Sequence, residues 1–206
     1  MSDAPYIIEI PGLLRNKINK KIVFEKEGLT IEKTNSFIPG VFIPAEDINS
    51  FRFGVNWIRG YKFTFGRQYI IQVQDFNNNI TSIKLGSYYQ IRRKAYSKIW
   101  VEIFEQLWQY YFINSFNYYI ELYKINQEFE IAGIKFQPFG ISWHNGNLFW
   151  NEIALSNYQT YFMIHHRDNV KKNVSLNFKN DWNSFILQCV LKEIVKEQNS
   201  YRSSAV

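Results

Sequence analysis

The chain holds a single cysteine, Cys189, in 206 residues, so no intrachain disulfide can form. Cys189 sits among Phe185, Ile186, Val190 and Leu191, a setting for a small core hydrophobe. Histidine is scarce too. His165 and His166 are neighbours in a strand-like run, where adjacent side chains point to opposite faces. With His144 as the only other histidine and no Cys or His-x-Glu spacing, no metal site is expected. A nucleophile placed beside a base is also missing. There is neither a G-x-G-x-x-G nor a P-loop. The carboxylates are too dispersed to nominate an acid–base pair. The expectation is a non-enzymatic protein with no catalytic residues, cofactor or small-molecule substrate. No run of about 18 apolar residues is present, so no membrane span is expected. The N-terminus MSDAPYIIEIPGLL has no basic region followed by a long apolar run, which reads as no signal peptide and a cytoplasmic location.

Aromatic residues are abundant instead, at 18% of the chain, within an ordinary 46% hydrophobic and 20% charged composition. Part of this excess matches the Asn-, Ile-, Lys- and Tyr-rich bias of AT-rich coding. The rest suits thin cores filled by large side chains. The net charge of +6 permits an anionic partner without requiring one. Positive charge concentrates in Arg15–Lys21 and Arg92–Lys94. The candidate anion-binding residues are therefore Lys17, Lys20, Lys21, Arg92, Arg93 and Lys94.

Short strand-like segments flank one long helical stretch, 92–127, which lacks Pro and Gly. Before it, Ile22–Lys33 reads as a hairpin turning at Glu27-Gly28. Tyr61–Phe65 alternates as a strand, Tyr69–Gln74 and Ile80–Leu85 flank an Asp-Asn turn, and Gly86 closes the section. Within the stretch, Tyr96, Ile99, Trp100, Ile103, Phe104, Leu107 and Trp108 recur at helical spacing. Beyond Trp108 the apolar face broadens through Phe112, Phe116, Tyr119 and Tyr123, a candidate interaction face. After it come strand runs within Phe129–Trp143, then Leu148–Leu155, Thr160–His166 and Asn173–Phe178. A last helix is expected to be capped by Asn180 or Asp181.

The two strand-rich sections share an order of events, which suggests an internal duplication. Gly28 matches Gly140, Ile48 matches Ile153, and Tyr69–Leu85 matches Tyr161–Phe178 with one extra residue. The residues Gly28-Leu29-Thr30-Ile31 and Ile43-Pro44-Ala45-Glu46-Asp47-Ile48, with the helix from Ala95, resemble the bacterial pleckstrin-homology-like domains. The second copy, Phe149-Trp150-Asn151-Glu152-Ile153, lacks the proline. The resemblance implies a bent seven-stranded antiparallel barrel, closed at one end by a helix, that binds lipid headgroups, peptides or proteins.

The fold class expected is therefore α+β, with two tandem PH-like antiparallel β-barrels or sheets, each capped by a C-terminal helix. The domains are 1–108 and 128–206, joined by a helix extension, 109–127. Protein–protein interaction or homo-oligomeric assembly is the function expected first. Binding of an anionic ligand or peripheral membrane surface comes second. Single-stranded nucleic acid binding through Tyr61, Phe63 and Phe65 comes third. Arg59–Gly66 (RGYKFTFG) partly resembles the RNP1 motif, but Lys62 and Thr64 depart from it and no helix separates it from a partner strand. A core strand is the reading expected there.

Overall fold

A computed structural model describes residues 4–14, 17–33 and 40–203. Arg15, the first residue of the basic run Arg15–Lys21, lies outside them. The chain divides into two compact units, residues 1–113 and 114–206, and the division falls inside the long helical stretch.

Unit 1 begins with a four-stranded antiparallel meander: β1 (Tyr6–Pro11), β2 (Ile18–Phe24), β3 (Gly28–Lys33) and β4 (Val41–Pro44). A single 3-10 turn, Ala45–Asp47, redirects the chain into a second meander. This holds β5 (Ile48–Arg59), β6 (Thr64–Asp75) and β7 (Ile80–Tyr88), followed by helix α1 (Arg93–Leu107). The period-two alternation of the strands sends Ile22, Phe24 and Leu29 from the first sheet into the core. Phe51, Ile71 and Ile83 enter it from the second sheet, and Ile103 and Leu107 from α1.

Unit 2 repeats that order. A four-stranded meander holds β8 (Phe129–Ile131), β9 (Ile134–Gln137), β10 (Gly140–Trp143) and β11 (Gly146–Phe149). A three-stranded one holds β12 (Ile153–Asn157), β13 (Tyr161–His166) and β14 (Asn173–Asn177), and helix α3 (Ser184–Ser203) closes the unit. The repetition extends to single atoms. Gly28 and Gly140 each open the third strand of their sheet. A Cβ on either would overlap a carbonyl oxygen of the fourth strand, that of Ile43 or Leu148. The next bond matches as well: the Ala45 N–H donates to the Glu27 carbonyl, and the Trp150 N–H to that of Phe139. Both closing helices follow a left-handed residue, Arg92 (φ 56°) and Asn183 (φ 57°).

The fold is thus α+β with four antiparallel sheets. The closed barrel implied by the resemblance is not formed: among the described residues every ladder stays within its own meander. The turns after β4 and β11 move the chain to a new sheet, so no ladder joins β4 to β5 or β11 to β12. Leu148–Leu155 is accordingly two strands in different sheets rather than one.

Two further expectations change. Tyr61–Phe65 is the tip of the β5–β6 hairpin, with β6 starting only at Thr64, because the Gly60 N–H to Phe63 carbonyl bond closes the turn there. The last helix starts at Ser184, since the Asp181 carboxylate accepts the Asn177 N–H (2.7 Å) in the preceding turn.

The long stretch is α1, a π-helical turn at Trp108–Phe112, and α2 (Ile113–Lys124). The wider π turn brings consecutive residues, Tyr111 and Phe112, into the unit 1 core together. Tyr111 donates to the Glu25 carbonyl (3.1 Å), between β2 and β3, while Phe112 stacks on Phe51 of β5 at 4.1 Å. One turn therefore reaches both sheets. Burial raises the Tyr111 phenol pKa well above its ordinary value. Among the described residues no helix is long and apolar enough to cross a membrane.

Candidate functional site

The β5–β6 hairpin of unit 1 reaches past its neighbour. β5 and β6 pair out to Arg59 and Thr64, whereas β7 joins β6 only from Gly66 onward. The projecting tip carries Tyr61 (97% exposed) and Phe63 (62% exposed) with Arg59 and Lys62. Behind the tip, the Arg67 guanidinium lies 4.4 Å over the Trp57 ring. Phe65 packs its ring against Phe63, Tyr88 and Tyr89. Tyr89 stays 71% exposed.

The link from β7 to α1 holds three left-handed non-glycine residues in four positions: Tyr89 (φ 48°), Gln90 (φ 66°) and Arg92 (φ 56°). Such backbone costs energy and persists only where its surroundings enforce it. Here the Tyr89 N–H donates to the Phe65 carbonyl (2.7 Å) and Ser87 Oγ to the Ile91 carbonyl (2.8 Å). Arg92 Nε donates to the Leu13 carbonyl (3.1 Å). The tight link delivers Arg92, Arg93 and Lys94 to the start of α1.

Two cavities adjoin at this corner. One, of about 1330 Å³, is lined by Arg67, Arg92, Arg93, Lys94 and Lys98, with Glu102 and Glu105 at its far end. There the Tyr6 phenol donates to Glu102 (2.8 Å), a bond that raises the Tyr6 pKa. The other cavity, of about 350 Å³, is walled by Trp57, Phe63, Phe65 and Tyr89. Arg67, Gln90 and Arg93 line both. The first turn of α1 contains no carboxylate, although the positive end of a helix dipole favours one. Cations therefore stand where the backbone already presents positive charge.

The sequence-predicted cations divide. Arg92, Arg93 and Lys94 line the large groove, joined by Arg67 and Lys98, which lie outside any run of basic residues. Lys17, Lys20 and Lys21 do not line it. Lys20 donates to the Lys84 carbonyl (3.3 Å) and faces Lys33 across the ladder. Burial first, then Lys33 and Lys84, lowers the Lys20 pKa. Lys21 faces Glu9 on one side and Glu32 on the other. Exposed Lys17 is tied to this part of the chain through its backbone. Its carbonyl accepts the Gly12 N–H, one residue before the Leu13 carbonyl that holds Arg92.

The candidate aromatic face divides between the units. Phe112 belongs to the core of unit 1. In unit 2, Tyr119 packs on Phe129 (5.3 Å) and Tyr123 meets Trp150 edge-on (5.4 Å) while accepting a hydrogen bond from Gln198 (2.7 Å). Phe116 is half-buried. Phe129 and Trp150 thus cover part of the face at Tyr119 and Tyr123.

Unit 2 has a groove of about 610 Å³ between β12 and α3, lined by Ile153, Leu155, Val195, Lys192, Lys196 and Arg167 among others, with no carboxylate in its walls. Counted from the left-handed residue before each helix, Val195 stands where unit 1 has Phe104. Phe104 packs on Phe51 and Phe53. On the outer face of the same sheet, Ser156 and His165 lie 3.0 Å apart, and His165 Nδ1–H donates to the His166 carbonyl. The sequence carried no signal for this pair, because its members come from different strands. It lines none of these grooves. Partial burial pushes the Cys189 thiol up to about 11, which keeps it protonated at neutral pH.

No protein-family model matches the chain, and no curated protein matches it in sequence.

Proposed function

We propose that the chain is a non-enzymatic binding protein whose unit 1 holds a polyanionic partner in the groove at the start of α1. One observation carries this reading: Arg67, Arg92, Arg93, Lys94 and Lys98 line one groove, at a helix N-terminus whose first turn has no carboxylate. Concentrated like charge raises the local concentration of counter-ions and steers anionic partners. The strained link that positions Arg92 and Arg93 is the kind of backbone that clusters at binding sites.

Lys94 and Lys98 are exposed, so removing them spares the core. The double variant Lys94→Ala/Lys98→Ala is expected to bind heparin and anionic vesicles about 30-fold more weakly, at roughly 1 kcal/mol per lysine. Its salt dependence should be shallower and its circular dichroism unchanged. Sedimentation with vesicles of graded phosphatidylserine content measures this. Equal binding by variant and wild type, or no binding of any polyanion by the wild type at low salt, rejects the reading.

A second reading is supported by the groove of unit 2. Ala154 and Ser156 pair inward with β13, so Leu155 turns its N–H and C=O to the free edge beside α3. Such an edge accepts an added strand, and Lys192, Lys196 and Arg167 suit an acidic peptide. Selection from a displayed random-peptide library should return acidic, extended sequences whose binding is abolished by Val195→Phe. Sequences without acidic enrichment, or indifference to that substitution, would sink it. The repeated order of four strands, three strands and a helix supports treating both units as PH-like scaffolds, in which fold alone does not choose the ligand.

A further inference from the structure

We propose that unit 1 takes single-stranded nucleic acid, with an unstacked base against the aromatic cavity and the adjoining phosphates in the basic groove. This rests on the polyanion reading and adds to it the identity of the partner. Two chemically different cavities meet along a shared wall of Arg67, Gln90 and Arg93. One side offers ring faces, at Phe63 and Tyr89, and both rings are largely exposed. The other offers cations, at Arg92, Lys94 and Lys98. A nucleotide is the common polyanion unit that needs both within its own length: a flat π-surface and, one sugar away, a phosphate.

Alternative anions use only part of this corner. A free phosphate or a headgroup is satisfied by the cations and leaves the walled aromatic cavity without a task. A duplex buries its base faces in its own stack and cannot present one to Phe63 or Tyr89. An exposed aromatic beside a basic groove is how sequence-tolerant single-strand binders gain affinity, because every base has a π-face. Two features far apart in the sequence, Arg92–Lys94 and the aromatic run Tyr61–Phe65, become one surface because β6 lies between them. Its Phe65 contacts Phe63 and Tyr89, and its Arg67 lines both cavities.

The test uses the full chain and three probes: a fluorescein-labelled oligothymidylate of about twenty nucleotides, a duplex of equal length, and phosphatidylserine vesicles. Wild type is expected to bind the single strand at least about tenfold more tightly than the duplex, with affinity falling as salt rises. Phe63→Ala and Tyr89→Leu should each weaken single-strand binding about 5- to 150-fold, the range for losing one stacked base, and leave vesicle binding unchanged. Lys94→Ala/Lys98→Ala should weaken binding to every anionic probe. Phe63 stands at the open tip, so Phe63→Ala keeps the fold even if Tyr89→Leu disturbs the strained link. Equal affinity for single strand and duplex, vesicle binding without oligonucleotide binding, or an unchanged Phe63→Ala titration overturns the nucleic-acid assignment while leaving polyanion binding intact. Failure to bind any of the three probes overturns both.

Discussion

Phe112→Ala is expected to cost about 3–5 kcal/mol of stability, the range for emptying a buried phenylalanine site. Phe112 is 1% exposed and its ring centroid lies 4.1 Å from that of Phe51, itself fully buried beside Phe53 and Phe104. The site has little means of collapsing after truncation, because its walls come from a sheet and a helix joined through other contacts. Tyr111 on the same π turn is held by Glu25, which prevents the helix from rotating to fill the space. Phe112→Leu retains most of the volume and should cost much less, near 1.5 kcal/mol. Urea titration followed by tryptophan fluorescence measures both. A loss under about 1 kcal/mol for the alanine variant would show that Phe112 does not lie in the core and that the π turn does not set its direction.

Gly140→Ala and Gly28→Ala form the second large effect, at about 3 kcal/mol or more each. The added Cβ would overlap the carbonyl oxygen of Leu148 or Ile43, in the facing strand. A backbone oxygen in a ladder cannot move aside as a flexible side chain can, so relief requires separating β10 from β11, or β3 from β4. This exceeds the usual 1–3 kcal/mol of overpacking because the obstacle is main chain. Gly60→Ala is the control: its nearest neighbours stand at 3.6 Å or beyond, so its stability should stay within about 0.5 kcal/mol of wild type. Thermal melting of the three variants decides the matter. Equal melting temperatures would mean that neither glycine is needed for close approach. A defect at one glycine alone would break the atomic correspondence between the units.

Much of the secondary structure was legible from periodicity. The hairpin at Ile22–Lys33, the strands at Tyr69–Gln74 and Thr160–His166, and the helix through Tyr96, Ile103 and Leu107 follow local alternation that burial then rewards. The errors have one character. Tyr61–Phe65 alternates as a core strand does, yet Tyr61 and Phe63 stand in solvent and only Phe65 is half-buried, because alternation records which side chains share a face and says nothing of what that face meets. Leu148–Leu155 is broken at its polar pair Asn151-Glu152, where the Glu152 N–H donates to the Phe149 carbonyl and the Glu152 carboxylate accepts the Phe149 N–H, so apolar residues on either side of the turn enter different sheets. The last helix ignores its best capping residue, Asp181, because that carboxylate is engaged by Asn177.

The candidate site divides along the same line. Sequence clustering identified Arg92–Lys94 and could not add Arg67 or Lys98, which reach the groove from a strand and from the next turn of the helix. It also grouped Lys20 and Lys21 with them, although ladder neighbours already surround both. Clustering along the chain detects charges that are adjacent in sequence, whereas a binding surface requires charges adjacent in space.

What the sequence determined by itself was local and periodic: the strand and helix segments, the matched order of the two halves, the scarcity of histidine and cysteine, and the excess of positive and aromatic side chains. Only the tertiary structure decided the pairing into four separate meanders, the burial of Phe112 by Phe51, and the meeting of an aromatic cavity with a basic groove. Each of these depends on contacts between residues distant in the chain. Such contacts are set by which surfaces can be buried together, and no window of neighbouring residues contains that information.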